Sequence, residues 1–321
     1  VTLQVLNSGG GPLSGARVDL LKDRNGTFRG TGKKQHTGND GKASFDIDPT
    51  GSYKLRVTYH GGTAESIVLP GPDGEGGQIW ADTIQMALSR ITFKDAGGTG
   101  IESARIDLMK ETVKGAGVWG KTDANGVFEA DVIPAFKHYF RVSWKGDTAL
   151  TTLLTGGQTD AELSTVDTKL TFTSSSGAPI AGARIDLLKA NDKGAGAWAK
   201  TGPDGKVSFE ILSSLAHKFR IRYRGGNLLT AEASGAVDLA VSTRVTRFTL
   251  EDHADAGITG ARVDLVNSQG KGVGAPKQIT DGGVATFEVL TGFEHSFKVT
   301  LNGATHVTPA LDQPALVIAA D

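Results

Sequence analysis

The stretch Gly15-Ala16-Arg17-Val18-Asp19-Leu20-Leu21-Lys22, GARVDLLK, returns as SARIDLMK from Ser103, GARIDLLK from Gly182 and GARVDLVN from Gly260. Its arginines, Arg17, Arg105, Arg184 and Arg262, stand 88, 79 and 78 residues apart. An apolar residue lies four places before each, at Leu13, Ile101, Ile180 and Ile258, and another fourteen places before, at Leu3, Ile91, Leu170 and Phe248. Spacing kept this closely means one unit repeated in tandem. The expected divisions are residues 1–85, 86–165, 166–243 and 244–321.

Working outward, each copy continues with a turn and a strand: TGNDGKASFDI, TDANGVFEADV, TGPDGKVSFEI and TDGGVATFEV. Asp-Gly, Asn-Gly and Gly-Gly tolerate the positive φ of tight turns. Then come YKLRVTYHG, HYFRVSWKG, HKFRIRYRG and HSFKVTLNG, which alternate with period two. In the third copy His217, Phe219, Ile221 and Tyr223 fall on one face, while Lys218, Arg220, Arg222 and Arg224 fall on the other. That phasing gives a strand with a core side and a wet side. No helical periodicity intervenes, so each copy reads as about seven short strands in a small antiparallel β-sandwich.

GARVDLL, TDANGVF and YKLRVTYHG together resemble the bacterial immunoglobulin-like, prealbumin-like β-sandwich repeats, which include collagen-adhesin B-type and carboxypeptidase-regulatory-like modules. The resemblance covers all four copies and implies surface stalks, adhesins and accessory modules. It also implies, in many collagen-adhesin repeats, a Lys–Asn isopeptide crosslink. The first strands here read TLQVL, RITF, KLTF and RFTL, so Lys169 is the lysine near the expected place.

Composition narrows the functional classes. The 321 residues hold 44 Gly, 10 Pro and no Cys, which favours short strands with tight turns and excludes disulfides and thiolate metal sites. Lys plus Arg is 34 against 35 for Asp plus Glu, so no net field draws the whole chain onto nucleic acid or an anionic membrane. No apolar run approaches the roughly 20 residues of a spanning helix. The opening VTLQVLNSGGG reads as a strand and turn rather than a leader, so a soluble chain is expected. The junctions ADTIQMALSRITF, STVDTKLTF and LAVSTRVTRFTL lack Gly and Pro, so one copy should pass almost directly into the next. Four end-to-end modules, each with roughly 8 residues of strand along its axis, would form an elongated rod on the order of 100 Å.

Candidate chemistry is sparse. Gly115-Ala116-Gly117-Val118-Trp119-Gly120-Lys121-Thr122 fits the phosphate-loop pattern G-x-x-x-x-G-K-[ST]. Ala199 breaks the pattern in the third copy, and Thr122 leads into a hairpin turn rather than a helix N-terminus. The stretch is therefore expected to be a Gly-rich loop before an edge strand, with Trp119 and Trp198 packed over the sandwich. His138, His217 and His295 share one position, Tyr53 in the first copy, and should be packed core residues rather than a metal cluster. Asp19, Asp107, Asp186 and Asp264, with Asp46, Asp131, Glu210 and Glu288, should form charge ladders beside Arg56, Arg141, Arg220 and Lys298. TDANG and GNDGK could offer oxygens to calcium but read first as turns.

No catalytic constellation emerges, so no enzyme, cofactor or metal is expected. The chain reads as a structural protein of the cell surface or extracellular space: a stalk, adhesin segment or filament subunit. Its partners would be further copies or neighbouring surface proteins, through the first strand near Val1–Leu6 or the last near Ala315–Ala319. The alternative is a carbohydrate-binding accessory region for acidic polysaccharide, with Lys218, Arg220, Arg222 and Arg224 as its cations and Trp119, Trp144, Trp198 and Tyr223 as stacking residues. Period-two phasing places Trp144 and Tyr223 on the core side, against that role.

Overall fold

In a computed structural model describing residues 1–48, 50–70, 81–157, 160–280, 282–310 and 315–319, every regular element is a β-strand. The chain forms two compact units, Val1–Thr165 and Val166–Asp321, each holding two copies of the repeat. The first copy shows the pattern. Thr2–Leu6 is the centre of a three-stranded sheet, with Lys42–Ser44 antiparallel on one side and Ala81–Gln85 parallel on the other. Arg17–Arg24 and Ser52–Tyr59 form the middle of a second sheet, bounded by Thr27–His36 and Gly62–Glu65. Leu3, Val5 and Ala43 from the first sheet and Val18, Leu20, Leu55 and Val57 from the second share one core.

One strand pair in each copy departs from the antiparallel expectation. The closing strand runs parallel to the opening one in all four: Ala81–Gln85 beside Thr2–Leu6, Asp160–Ser164 beside Arg90–Lys94, Asp238–Ser242 beside Lys169–Thr173, and Ala315–Ala319 beside Arg247–Glu251. No hairpin joins the two strands: the chain crosses through the second sheet between them, and such a crossover permits parallel pairing. Asp160–Thr173 is one strand that closes the second copy with its first residues and opens the third with its last, and Asp238–Glu251 does the same for the third and fourth.

The alternating pattern is borne out in the third copy, where His217, Phe219 and Ile221 are buried and Lys218, Arg220 and Arg222 reach solvent. Leu3, Ile91, Leu170 and Phe248 are fully buried. So are Phe45, Phe209 and Phe287 nearly, while the second copy has Ala130 there and half-buried Phe128 set edge-on to Phe140, ring centres 6.0 Å apart. Alternation fails in the repeat motif itself, where Val18, Asp19, Leu20 and Leu21 are all buried. A β-bulge shifts register between Asp19 and Leu21, and again between Asp107 and Met109 and between Asp186 and Leu188. The turn glycines Gly41, Gly126, Gly205 and Gly283 have φ of 72–75°. A Cβ there would lie 2.2–2.5 Å from the carbonyl oxygen of Val5, Phe93, Phe172 or Leu250, so only glycine fits.

Within each unit the two copies dock through the same parts. A Cβ on Gly62 would meet Ile133 and Phe136 at 3.0 Å, and one on Gly226 would meet Phe293 at 3.1 Å and Leu290 at 3.2 Å. Ile133 belongs to the core of the first copy and Leu290 to that of the third. An acid completes each contact: the Ser8 amide donates to Asp131 Oδ1 at 2.9 Å, and the Ser175 hydroxyl and amide donate to Glu288.

Candidate functional site

The phosphate-loop match is an extended strand, not a loop. Gly115–Lys121 is the edge strand itself, paired antiparallel to Arg105–Lys110, so its amides do not converge on an anion. The hydroxyl of Thr122 donates to the Ile101 carbonyl at 2.6 Å and accepts from the Ala104 amide at 3.0 Å. Thr37 and Thr201 make the same two bonds, to Leu13 and Ala16 and to Ile180 and Ala183. The residue that would hold a metal in a nucleotide site is a structural tie in three copies.

The turn acids are used locally as well. Asp123 Oδ1 accepts from the amides of Asn125 at 2.9 Å and Val127 at 2.8 Å, and Asp40 Oδ1 accepts from Lys42 at 3.0 Å. Among the described residues no group of three or more His, Cys, Asp or Glu could hold a metal ion, and no helix is long and apolar enough to cross a membrane. His138, His217 and His295 are fully buried. Each pairs Nε2 with a hydroxyl 49 residues earlier, Ser89 at 2.7 Å, Thr168 at 2.9 Å and Thr246 at 2.9 Å. Each Nδ1 faces a carbonyl two residues before it, of Phe136, Leu215 and Phe293. A carbonyl can only accept, so Nδ1 carries a hydrogen toward it, and the hydroxyl is placed to bond Nε2. Burial holds His138 and His295 below the ordinary imidazole value, with the carbonyl bond opposing it.

The repeated aspartates form the expected ladder on the outer sheet. Asp19, Asp107, Asp186 and Asp264 stand directly opposite Arg56, Arg141, Arg220 and Lys298. Each also accepts from the arginine two residues before it, at 2.7–2.8 Å. The Arg105 guanidinium, helped by Arg141, holds Asp107 below the usual carboxylate range against the effect of burial. Asp131 and Glu288 lie elsewhere, at the docking contacts between copies. Burial works to raise Glu288, yet hydrogen bonds from Ser175 and Thr243 outweigh it and the net shift is downward.

Trp119 and Trp198 do not pack over the sandwich: they are 62% and 56% exposed. Each sits on an edge strand, in register with Asp107 or Asp186, where no further strand covers the ring. Instead Arg105 and Arg184 stack over them, 4.8 and 4.5 Å from the ring centres. Trp144 and Tyr223 turn inward, edge-on to Phe93 and Phe172. Of the basic row, Lys218 pairs with Asp192 at 2.8 Å, Arg220 and Arg222 lean on Asp186, and Arg224 lies over Tyr223. Lys169 is exposed between inward-facing Thr168 and Leu170, so it does not occupy a buried crosslinking position. Thr2–Leu6 is hydrogen-bonded on both sides and is therefore no free edge for a partner.

No protein-family model matches the chain, and no curated protein matches it. Similar solved structures include the Bacillus anthracis TIE protein, at 12% identity over 96% of this chain and 68% of that one, with a TM-score of 0.22. BcpA, the major pilin subunit of Bacillus cereus, has 13% identity over 73% of this chain and 98% of its own, with a TM-score of 0.23. GBS52, the minor pilin of Streptococcus agalactiae, has 12% identity over 48% and 94%, with a TM-score of 0.29. Scores this low assign neither family nor activity, and the functional reading rests on the chain's own geometry.

Proposed function

We propose that this is a non-enzymatic structural protein of the cell surface or extracellular space, a stalk, adhesin segment or filament subunit. Four immunoglobulin-like modules, residues 1–85, 86–165, 166–243 and 244–321, would follow one another in an elongated rod. The observation that carries this reading is the pair of shared strands, Asp160–Thr173 and Asp238–Glu251, each ending one copy and beginning the next with no linker. A junction made of continuous hydrogen-bonded strand resists bending, and parallel entry and exit strands pass the chain onward instead of folding it back. Thr122, the turn acids and the repeated aspartates are engaged in ties, turns and ladders. Partners are further copies or neighbouring surface proteins, with Ala315–Ala319, paired on one side with Arg247–Glu251, as an edge open to strand addition. Small-angle scattering of the intact chain tests the proposal: a maximum dimension on the order of 100 Å agrees with four modules in line, and a compact particle overturns it.

A further inference from the structure

One cluster carries more positive charge than its place in the fold requires. Directly opposite the repeated arginine stand Thr58, Ser143, Arg222 and Thr300 in the four copies. The third copy alone thus sets arginine against arginine, Arg184 facing Arg222, and like charges directly opposite across strands are destabilising. Both lean on one carboxylate: Asp186 receives Arg184 Nε at 2.8 Å, Arg222 Nε at 3.0 Å and Arg220 Nε at 3.4 Å. Three cations against one anion leave a local excess of two positive charges. The three arginine side chains are still 43%, 43% and 36% exposed, so this excess faces water. The same sheet forms around a threonine or serine in the other copies, so the fold does not need Arg222. A local conflict that the fold does not require marks a functional position.

Beside this excess lies Trp198, more than half exposed, in register with Asp186 and with Arg184 over its ring. An exposed indole next to uncompensated guanidinium groups matches a ligand that has both an apolar ring face and an anionic group. A flat strand-edge site with no enclosing walls suits a polymer lying across it rather than an engulfed small molecule. We propose that the outer sheet of the third copy binds an acidic polysaccharide, one hexose ring stacking on Trp198 while its carboxylate or sulfate is held by Arg222 and Arg220. The second copy provides an internal comparison. It has the same platform in Trp119 but Ser143 where the third has Arg222, and so lacks the additional cation.

The test uses the intact chain against immobilised polygalacturonate, dextran sulfate, neutral dextran and polyglutamate, at low and at physiological salt. Binding to either anionic polysaccharide, and not to neutral dextran, is expected, with stronger retention on one of the two identifying carboxylate or sulfate as the anion. Arg222→Thr, which restores the residue of the first and fourth copies, should weaken binding about tenfold. Its melting temperature should stay level or rise, because the like-charge pair is gone. Trp198→Ala should also weaken binding, and Trp119→Ala should not. The proposal is overturned if neither anionic polysaccharide binds at low salt, or if Arg222→Thr and Trp198→Ala bind like the parent. Polyglutamate binding as tightly as the polysaccharides, with Trp198→Ala without effect, would reduce the site to charge alone and overturn it too.

Discussion

Replacing Thr122 with valine separates the two meanings of the G-x-x-x-x-G-K-[ST] match. Valine has the shape of threonine, so no cavity opens and only the hydroxyl is lost. That hydroxyl is the acceptor for the amide of Ala104, itself buried. A buried N–H left without a partner costs about 1–3 kcal/mol. The Ile101 carbonyl loses its donor as well, but Ile101 is half-buried and its oxygen can turn to water, adding little. A loss of about 2 kcal/mol is expected. The fold itself should survive, because the fourth copy has Ile279 at this place and still forms the backbone bond from Ile279 to Ala261 at 2.9 Å. Native-state hydrogen exchange reads the effect locally: the Ala104 amide should exchange faster by about 30-fold. Thr201→Val should do the same at Ala183, and Thr37→Val at Ala16. The reasoning fails if Ala104 exchange is unchanged, or if the parent binds ATP with magnesium and Thr122→Val abolishes that binding without loss of stability.

Phe209→Ala should cost about 3–5 kcal/mol in urea unfolding; in the second copy Phe128→Ala should be clearly destabilising while Glu129→Ala, in an exposed pair with Arg90, stays within about 0.5 kcal/mol. Gly226→Asp places atoms into Phe293 and Leu290 and should lower the stability of the Val166–Asp321 unit by about 1–3 kcal/mol, whereas Gly194→Asp, with open space around it and no positive φ, should not. Residues 166–243 expressed alone should give a dispersed NMR spectrum but unfold at lower urea than 166–321, since Leu290 and Phe293 complete the third core. His138 and His295 have folded values below the ordinary imidazole value of about 6.5, so the unfolded chain takes up protons first. Stability should therefore hold above about pH 6.5 and decline as pH falls toward the folded values, and a flat urea midpoint across that range would contradict the burial argument.

What the sequence made legible depends on how local the cause was. Period-two strands, turn glycines and the Asp–Arg ladder follow from neighbours along a strand or across one hairpin, and His217, Phe219 and Ile221 are buried as their alternation requires. Burial on both faces hid more. Val18 and Leu20 join the core between the sheets while Asp19 and Leu21, on the other face, are buried as well, a run that a core-or-water alternation does not anticipate. Trp119 and Trp198 stand on the same strand face as Lys121 and Lys200, opposite Ala116 and Ala195, so alternation itself marks their side as wet, and only the size of the indole argues for burial. Arg222 was visible only as one of four basic residues. Its distinction, facing Arg184 where other copies place Thr or Ser, needs cross-strand register.

Register also explains why four similar copies form two units. The first and third copies carry the docking set: Ser8 and Ser175 for the neighbour's acid, Gly62 and Gly226 for its apolar pair. At the same places the second and fourth copies have Ala96 and His253, then Asp147 and Ala304. The receiving pair is less selective, since Ile133 and Phe136, or Leu290 and Phe293, correspond to Asp48 and Gly51 in the first copy but to Leu212 and Leu215 in the third, so the serine and the glycine carry the distinction. A serine and a glycine without a side chain thus stand where one copy must lie flush on the next, and the acids Asp131 and Glu288, on the sheet that does not carry the charge ladder, meet the serines. Positions that align in the repeat therefore differ in role: the motif specifies the sandwich, and the residues that vary between odd and even copies specify which sandwiches close on each other.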